Sequence, residues 1–255
     1  MPVRPATLAE QIAANRRHWD DRADVHAGSR YYDLASVVAH GPAPIAGPDE
    51  VELGPVAGRT LLHLHCHIGT DTMRWAALGA TVTGVDLSPR SLNVARDLAA
   101  RLGLPARFLE ADVHDLPGLL DREFDIVYAS YGVICWVPDM TRWAAVAASF
   151  ARPGGVVYLA DGHPIDVALD PERFARRGYF DRGARRYQDE RSYTDGETTI
   201  GRPVNYRWTH TLGDVVTALA AAGLRIEFLH EHPRPGDEAG SVPGLFSVMA
   251  SRPHP

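Results

Sequence analysis

Three histidines alternate in Leu61-Leu62-His63-Leu64-His65-Cys66-His67-Ile68-Gly69-Thr70-Asp71. Alternate residues of a strand share a face, so these imidazoles could be presented together to a divalent metal, which would give a metal-dependent hydrolase. The order differs from an H-x-H-x-D-H loop, because Cys66 interrupts it and Asp71 comes four residues after His67. A plainer reading buries His63 in a strand with its ring bonded to backbone, and leaves His65 and His67 in a turn. With Gly69 in that turn, the stretch becomes the first strand, turn and helix of a nucleotide-binding fold, in which backbone approaches the ligand at a helix N-terminus.

Asp86 follows Gly69 by 17 residues and ends the next apolar run, where a carboxylate can accept from both hydroxyls of a ribose. NAD and other nucleoside cofactors fit that pair equally. His163, in Asp161-Gly162-His163-Pro164, and His210, in Tyr206-Arg207-Trp208-Thr209-His210, are candidate general bases. Each has a plainer reading, His163 as a loop-packing histidine and the 206–210 stretch as an aromatic strand face. Residues 172–191 carry seven arginines, Arg185 and Arg186 among them, against four acids. Such an excess can recognise a carboxylate or phosphate, or be a solvated charged face.

The elements that position these groups follow from periodicity. Leu8 to Arg22 has helical spacing, with Leu8, Ile12 and Trp19 available for one face. The proline- and glycine-rich stretch from Gly41 to Gly58 reads as a linker. Strands are expected at 60–65, 81–86, 106–110, 124–130 and 155–160, alternating with helices at 71–78, 88–101 and 140–151. That rhythm predicts a parallel sheet covered on both faces. The region from about 163 to 210 interrupts it as a substrate cap, before a helix at about 212–222 and strands at 224–230 and 245–250. Residues 1–45 form an N-terminal helical cap in this reading, and 46–255 the main domain.

Asp86, Glu110-Ala111-Asp112-Val113-His114-Asp115-Leu116-Pro117, Phe124-Asp125-Ile126-Val127-Tyr128 and Pro153-Gly154-Gly155 together resemble class I S-adenosylmethionine-dependent methyltransferases, over about residues 60–159. The resemblance implies an α/β Rossmann-like, seven-stranded, mostly parallel sheet with the last strand antiparallel, helices on both faces, and S-adenosylmethionine as cofactor. It sets the turn of His65, His67 and Gly69 against the methionine part, Asp86 and Leu87 at the ribose, and Asp112 and Val113 at the adenine. Ser130 and Tyr131 begin the loop beside the methyl group, and Tyr31 closes over the cofactor. The chain departs from the family at His63, where an acid is usual, and at His65 and His67, where the first two turn glycines stand. The turn also resembles a methyltransferase subgroup with a Cys-His-x-Gly-x-Asp turn.

Methyl transfer from a sulfonium is an in-line displacement served mainly by proximity, with a histidine base adding about 10²–10⁴-fold where one is used. The expectation is therefore transfer to an oxygen or nitrogen of a small metabolite, in specialised bacterial metabolism or natural-product biosynthesis. A metal-dependent hydrolase and a non-catalytic binding module are the alternatives. A net charge of −6 disfavours nucleic acid, and no apolar run reaches the roughly 20 residues of a membrane helix. Two cysteines and no secretory signal suit the cytoplasm, with the chain as monomer or homodimer. The absence of lysine among 26 basic residues is a coding bias.

Overall fold

The first apolar run, Thr60–Leu64, is β1, and its alternation sorts two layers of core. Leu62 and Leu64 face one side, packing with Val85, Val127, Leu159 and Trp143, whereas Leu61 faces the other with Ile68, Trp75, Tyr128 and Tyr158. A strand buried on both faces has to be apolar at nearly every position, and β1 is buried at four of its five residues. The computed structural model describes residues 4–169, 178–194, 198–234 and 242–254.

The elements run α1 (Leu8–Ala27), α2 (Leu34–His40), α3 (Asp49–Leu53), β1, α4 (Thr70–Ala77), β2 (Thr81–Asp86), α5 (Pro89–Leu102), β3 (Ala106–Glu110), a 3₁₀ turn (Val113–Gly118), β4 (Phe124–Ser130) and a second 3₁₀ turn (Ile134–Trp136). Then come α6 (Met140–Phe150), β5 (Ala151–Gly162), α7 (Pro164–Leu169), β6 (Arg185–Gln188), β7 (Val204–Arg207), α8 (Leu212–Ala221), β8 (Arg225–Pro233) and β9 (Pro243–Ser251). Seven strands form one sheet in the order β3-β2-β1-β4-β5-β9-β8, with β9 antiparallel to both neighbours and the rest parallel. This is the Rossmann-like sheet expected, its last strand reversed. Strand order turns back between β1 and β4, so the ligand crevice belongs beyond their C-terminal ends.

Two local expectations are corrected. The 41–58 linker contains α3, and Ile45, Leu53 and Val56 are buried against the sheet. The buried stripe of α1 is not Leu8, Ile12 and Trp19. Leu8 is half exposed, and the buried face carries Asn15, His18, Arg22 and His26. Their spacing of three, four and four keeps them on one helical face, but the face is polar. It is satisfied by the 163–210 insertion: Asn15 donates from Nδ2 to the carbonyl of Tyr206 at 2.8 Å and accepts the Tyr206 N–H at 2.7 Å, while His18 Nδ1 meets the carbonyl of Arg202 at 2.9 Å. Helix α1 and the β6–β7 hairpin thereby form one roof.

Candidate active site

Between β1 and α4 the chain turns through three residues of positive φ: His65 at 57°, His67 at 52° and Gly69 at 80°. A side chain tolerates the left-handed region only at a cost, so the two histidines need other contacts to hold them there. His65 Nε2 accepts from Trp143 Nε1 at 3.1 Å, which fixes its proton on Nδ1. His67 Nε2 lies 3.0 Å from His26 Nδ1, and its ring meets Trp19 edge to face. At Gly69 no side chain would fit, because a Cβ there would lie 2.8 Å from that of Ala95.

His63 turns from both and meets Thr72 Oγ1 at 2.8 Å, so the plain reading of a buried strand histidine holds, with a side-chain partner in place of backbone. The three imidazoles thus diverge to Thr72, Trp143 and His26. Among the described residues no group of His, Cys, Asp and Glu is arranged to hold a metal ion. Burial holds His63 down to about 3 and His65 to about 4, with His67 well below its ordinary value, so all three are neutral and weakly basic.

Beyond the strand ends opens a cleft of about 990 Å³. His65, His67, Asp86, Leu87, Ser130, Tyr131 and Tyr31 all line it, bringing together the turn and most of the residues expected around a cofactor. Asp86 ends β2, its Oδ2 accepting the His67 N–H at 2.8 Å and its Oδ1 the Ser88 N–H at 2.9 Å. Burial nevertheless pushes its carboxyl up to about 6. Asp71, in the first turn of α4, accepts from Ser130 Oγ at 3.1 Å and is also raised to about 6 by burial. Two carboxylates lining one cleft, both raised by burial, could receive a ligand bearing an ammonium and hydroxyls.

Asp161, at the end of β5, shapes the facing loop, because its carboxylate accepts the N–H groups of Gly132, Val133 and Ile134 at 2.6–2.8 Å. Tyr131 is held by Asp49, which also accepts from the Tyr128 hydroxyl at 2.7 Å. Across the mouth, the hydroxyls of Tyr32 and Tyr193 lie 2.5 Å apart, joining the N-terminal segment to the insertion.

A family profile described as "Methyltransferase domain" matches residues 61–155. The chain is 29% identical over 170 residues to the ubiquinone biosynthesis O-methyltransferase of Methylobacterium sp. (strain 4-46), covering 62% of this chain and 65% of that protein. It is 34% identical over 159 residues to the protein of the same name from Paracidovorax citrulli (strain AAC00-1), covering 62% of each. The matched part spans less than two thirds of either relative. A crystal structure of an S-adenosylmethionine-dependent methyltransferase from Mesorhizobium loti shares the fold, with a TM-score of 0.58, 23% identity, and 80% of this chain and 95% of that one covered.

Residues 61–155 match a methyltransferase domain, and the fold is the one seen in solved S-adenosylmethionine-dependent methyltransferases. Two carboxylates line the cleft, Asp86 at the end of β2 and Asp71 in the first turn of α4, and such groups could hold the hydroxyls and the ammonium of S-adenosylmethionine. Asp71 was not expected as a contact. Its position two residues after Gly69, in the first turn of α4, was the available signal.

Other expected residues sit elsewhere. Asp112 caps the 3₁₀ turn, its Oδ1 accepting the His114 N–H at 2.9 Å and meeting His114 Nδ1 at 3.0 Å. Burial acts to raise this carboxyl, and the bonds from His114 outweigh it and hold it low. Neither Asp112 nor the buried Val113 lines the cleft.

His163 is also outside the lining. Its Nε2–H donates to Glu231 at 2.8 Å and its Nδ1 accepts the Ile165 N–H at 3.1 Å, which occupies the lone pair a base would use. His210, likewise outside, donates from Nε2 to the carbonyl of Val137 at 2.7 Å. The arginine-rich stretch divides: Arg185 pairs with Asp181, Arg186 is exposed, and Arg173, Arg176 and Arg177 lie outside the described residues. The arginines lining the cleft are Arg22, Arg191 and Arg207, and of these only Arg191 belongs to the stretch singled out in the sequence.

Proposed function

We propose that this chain transfers the methyl group of S-adenosylmethionine to an oxygen of a small metabolite held between the β1 and β4 loops and the roof of α1 and β6–β7. The observation that carries the reading is the two part-buried carboxylates, Asp71 and Asp86, both lining a cleft whose volume of about 990 Å³ exceeds what a cofactor of this size alone requires. The O-methyltransferase names of the two relatives support oxygen over nitrogen as the acceptor atom.

When bound, S-adenosylmethionine supplies a sulfonium-activated methyl group. Asp71 would hold the ammonium and Asp86 the ribose, while Tyr131, braced by Asp49, and the loop braced by Asp161 would fix the wall beside the acceptor. The roof would exclude water. Because burial holds His65 down to about 4 and His67 well below its ordinary value, the cleft imidazoles are poor proton acceptors at neutral pH. Proximity and orientation therefore carry the acceleration, which suits an acceptor whose oxygen is acidic or already ionised.

Calorimetry with S-adenosylmethionine and S-adenosylhomocysteine tests the cofactor. Both should bind the wild-type protein, and Asp86→Ala should weaken both by at least about tenfold, the scale of one lost charge-assisted bond pair. If neither binds at millimolar concentration, the reading falls. Turnover on a panel of phenols and hydroxy acids then separates an enzyme from a binding module.

A further inference from the structure

Three arginines, Arg22, Arg191 and Arg207, also line the cleft. Arg22, on the polar face of α1, is 4% exposed, yet it lines the cleft. Its guanidinium reaches Asp189 Oδ2 at 3.3 Å, a long contact, and lies over the rings of Trp19 and Tyr193 at 5.4 and 5.7 Å. Its Nε–H is buried and meets no hydrogen-bond acceptor. Arg207, stacked over Trp136 at 5.0 Å, pairs with the same oxygen of Asp189, which also accepts from Asn205 at 3.1 Å.

One carboxylate thus serves two guanidiniums, and Arg191 lines the cleft as well. The imidazoles that face Arg22 do not alter the balance: His18 is held down to about 4 and His26 to about 3 by burial, so neither adds charge at neutral pH. The other lining carboxylates, Asp71 and Asp86, are those that the reading above assigns to the cofactor. Arg22 itself is the incompletely paired cation, with its Nε–H unmet and its contact to Asp189 long, and such a buried cation persists where a ligand completes it. The guanidinium geometry favours a bidentate oxyanion.

We propose that the methyl acceptor carries an oxyanion, a carboxylate or a phosphoryl group, which docks between Arg22 and Arg207 beneath the α1–hairpin roof and orients its nucleophilic oxygen toward the cofactor wall. The proposal rests on the methyltransferase reading above and names the substrate class of that cleft. It places anion recognition on the polar stripe of α1 and the end of β7, not on Arg185 and Arg186.

The test uses protein saturated with S-adenosylhomocysteine, whose binding is measured first and separately, so that failure of the cofactor reading is seen on its own. Thermal unfolding is then followed in acetate, inorganic phosphate and chloride at matched ionic strength and pH. One of the two oxyanions should raise the midpoint above chloride in a saturable way, acetate marking a carboxylate site and phosphate a phosphoryl site.

Arg22→Gln and Arg207→Gln should each weaken the apparent anion affinity by about tenfold or more while S-adenosylhomocysteine affinity stays within twofold. Asp189→Asn should strengthen it severalfold, because removing the shared counter-charge raises the field on the anion, an effect that loss of structure would not give. If Arg22→Gln does not fold, as its cofactor affinity would show, Arg207→Gln and Asp189→Asn decide alone. The proposal is overturned if neither oxyanion exceeds chloride in the wild-type protein, or if the anion effect is the same in the arginine variants.

Discussion

His67, in the cofactor turn, lies 3.0 Å from His26 of α1, Nε2 to Nδ1, and His26 Nε2 in turn meets Ser192 Oγ of the insertion at 2.7 Å. Both imidazoles are held neutral by burial, so the link is one donor and one acceptor within a chain of hydrogen bonds, not an ion pair. Three segments far apart in sequence therefore meet at the turn between β1 and α4.

This link predicts energetic coupling between roof and turn. His26→Ala should leave the buried ring of His67 short of a partner, at a cost of about 1–3 kcal/mol in stability, and should weaken S-adenosylhomocysteine binding. His67→Gly removes the same contact but places glycine where φ is 52°, so part of its loss is returned by relief of backbone strain. A double-mutant cycle in denaturant should give an interaction of about 0.5–3 kcal/mol between the two sites. Additive effects would mean that the roof and turn are energetically independent.

Why the sequence exposed the sheet but not this coupling is physical. Strands buried on both faces leave apolar runs, and Asp86 and Gly69 sit at their ends, so β1 to β5, the reversed last strand and most cofactor-wall residues could be read directly. Helix α1 hides its buried face, because that face is polar and an apolar periodicity search selects Leu8, which is half exposed. Arg22 and His26 are buried by partners, Asp189 and Ser192, more than 160 residues away. No local pattern announces such pairs. Likewise α3 lies in a proline- and glycine-rich stretch, and its place is set by Asp49 accepting from Tyr128 and Tyr131.

The buried imidazoles also predict acid sensitivity. His18, His26, His63 and His65 are lowered to about 4, 3, 3 and 4, and His67 well below, from an ordinary value of 6.5. Above pH 6.5 they are neutral in both states. As the pH falls below 6.5 the unfolded chain takes up protons that the native state refuses, so stability declines toward the folded values. Asp71 and Asp86, raised to about 6 from 3.8, act oppositely, taking protons in the native state first.

His163 is lowered as well, whereas Asp49, Asp161 and His114 are raised and act with Asp71 and Asp86. The lowered imidazoles, whose ordinary value lies inside the range from pH 7 to about pH 5, set the net slope as a loss of stability with falling pH. Denaturant midpoints should fall steadily from pH 7 to about pH 5. Saturation with S-adenosylhomocysteine should steepen the fall, because its ammonium would hold Asp71 ionised and cancel its opposing contribution. A flat or rising midpoint over that range would show that these imidazoles are solvated in the native state.

Gly69 supplies the sharpest test of the turn itself. Its φ of 80° and the 2.8 Å approach of an added Cβ to that of Ala95 act on the same substitution through different causes, backbone strain and overpacking. Gly69→Ala should therefore destabilise by about 2–4 kcal/mol, about 1 from the dihedral and the remainder from the clash. Ala95→Gly in the same chain removes the clash but not the strain, at a helix-propensity cost of about 1 kcal/mol. In the double variant the overpacking part should disappear, and the backbone part should remain. Full additivity of the two substitutions, measured by denaturant unfolding, would mean that α4 and α5 separate enough to admit the methyl group and that only the dihedral constrains this position to glycine.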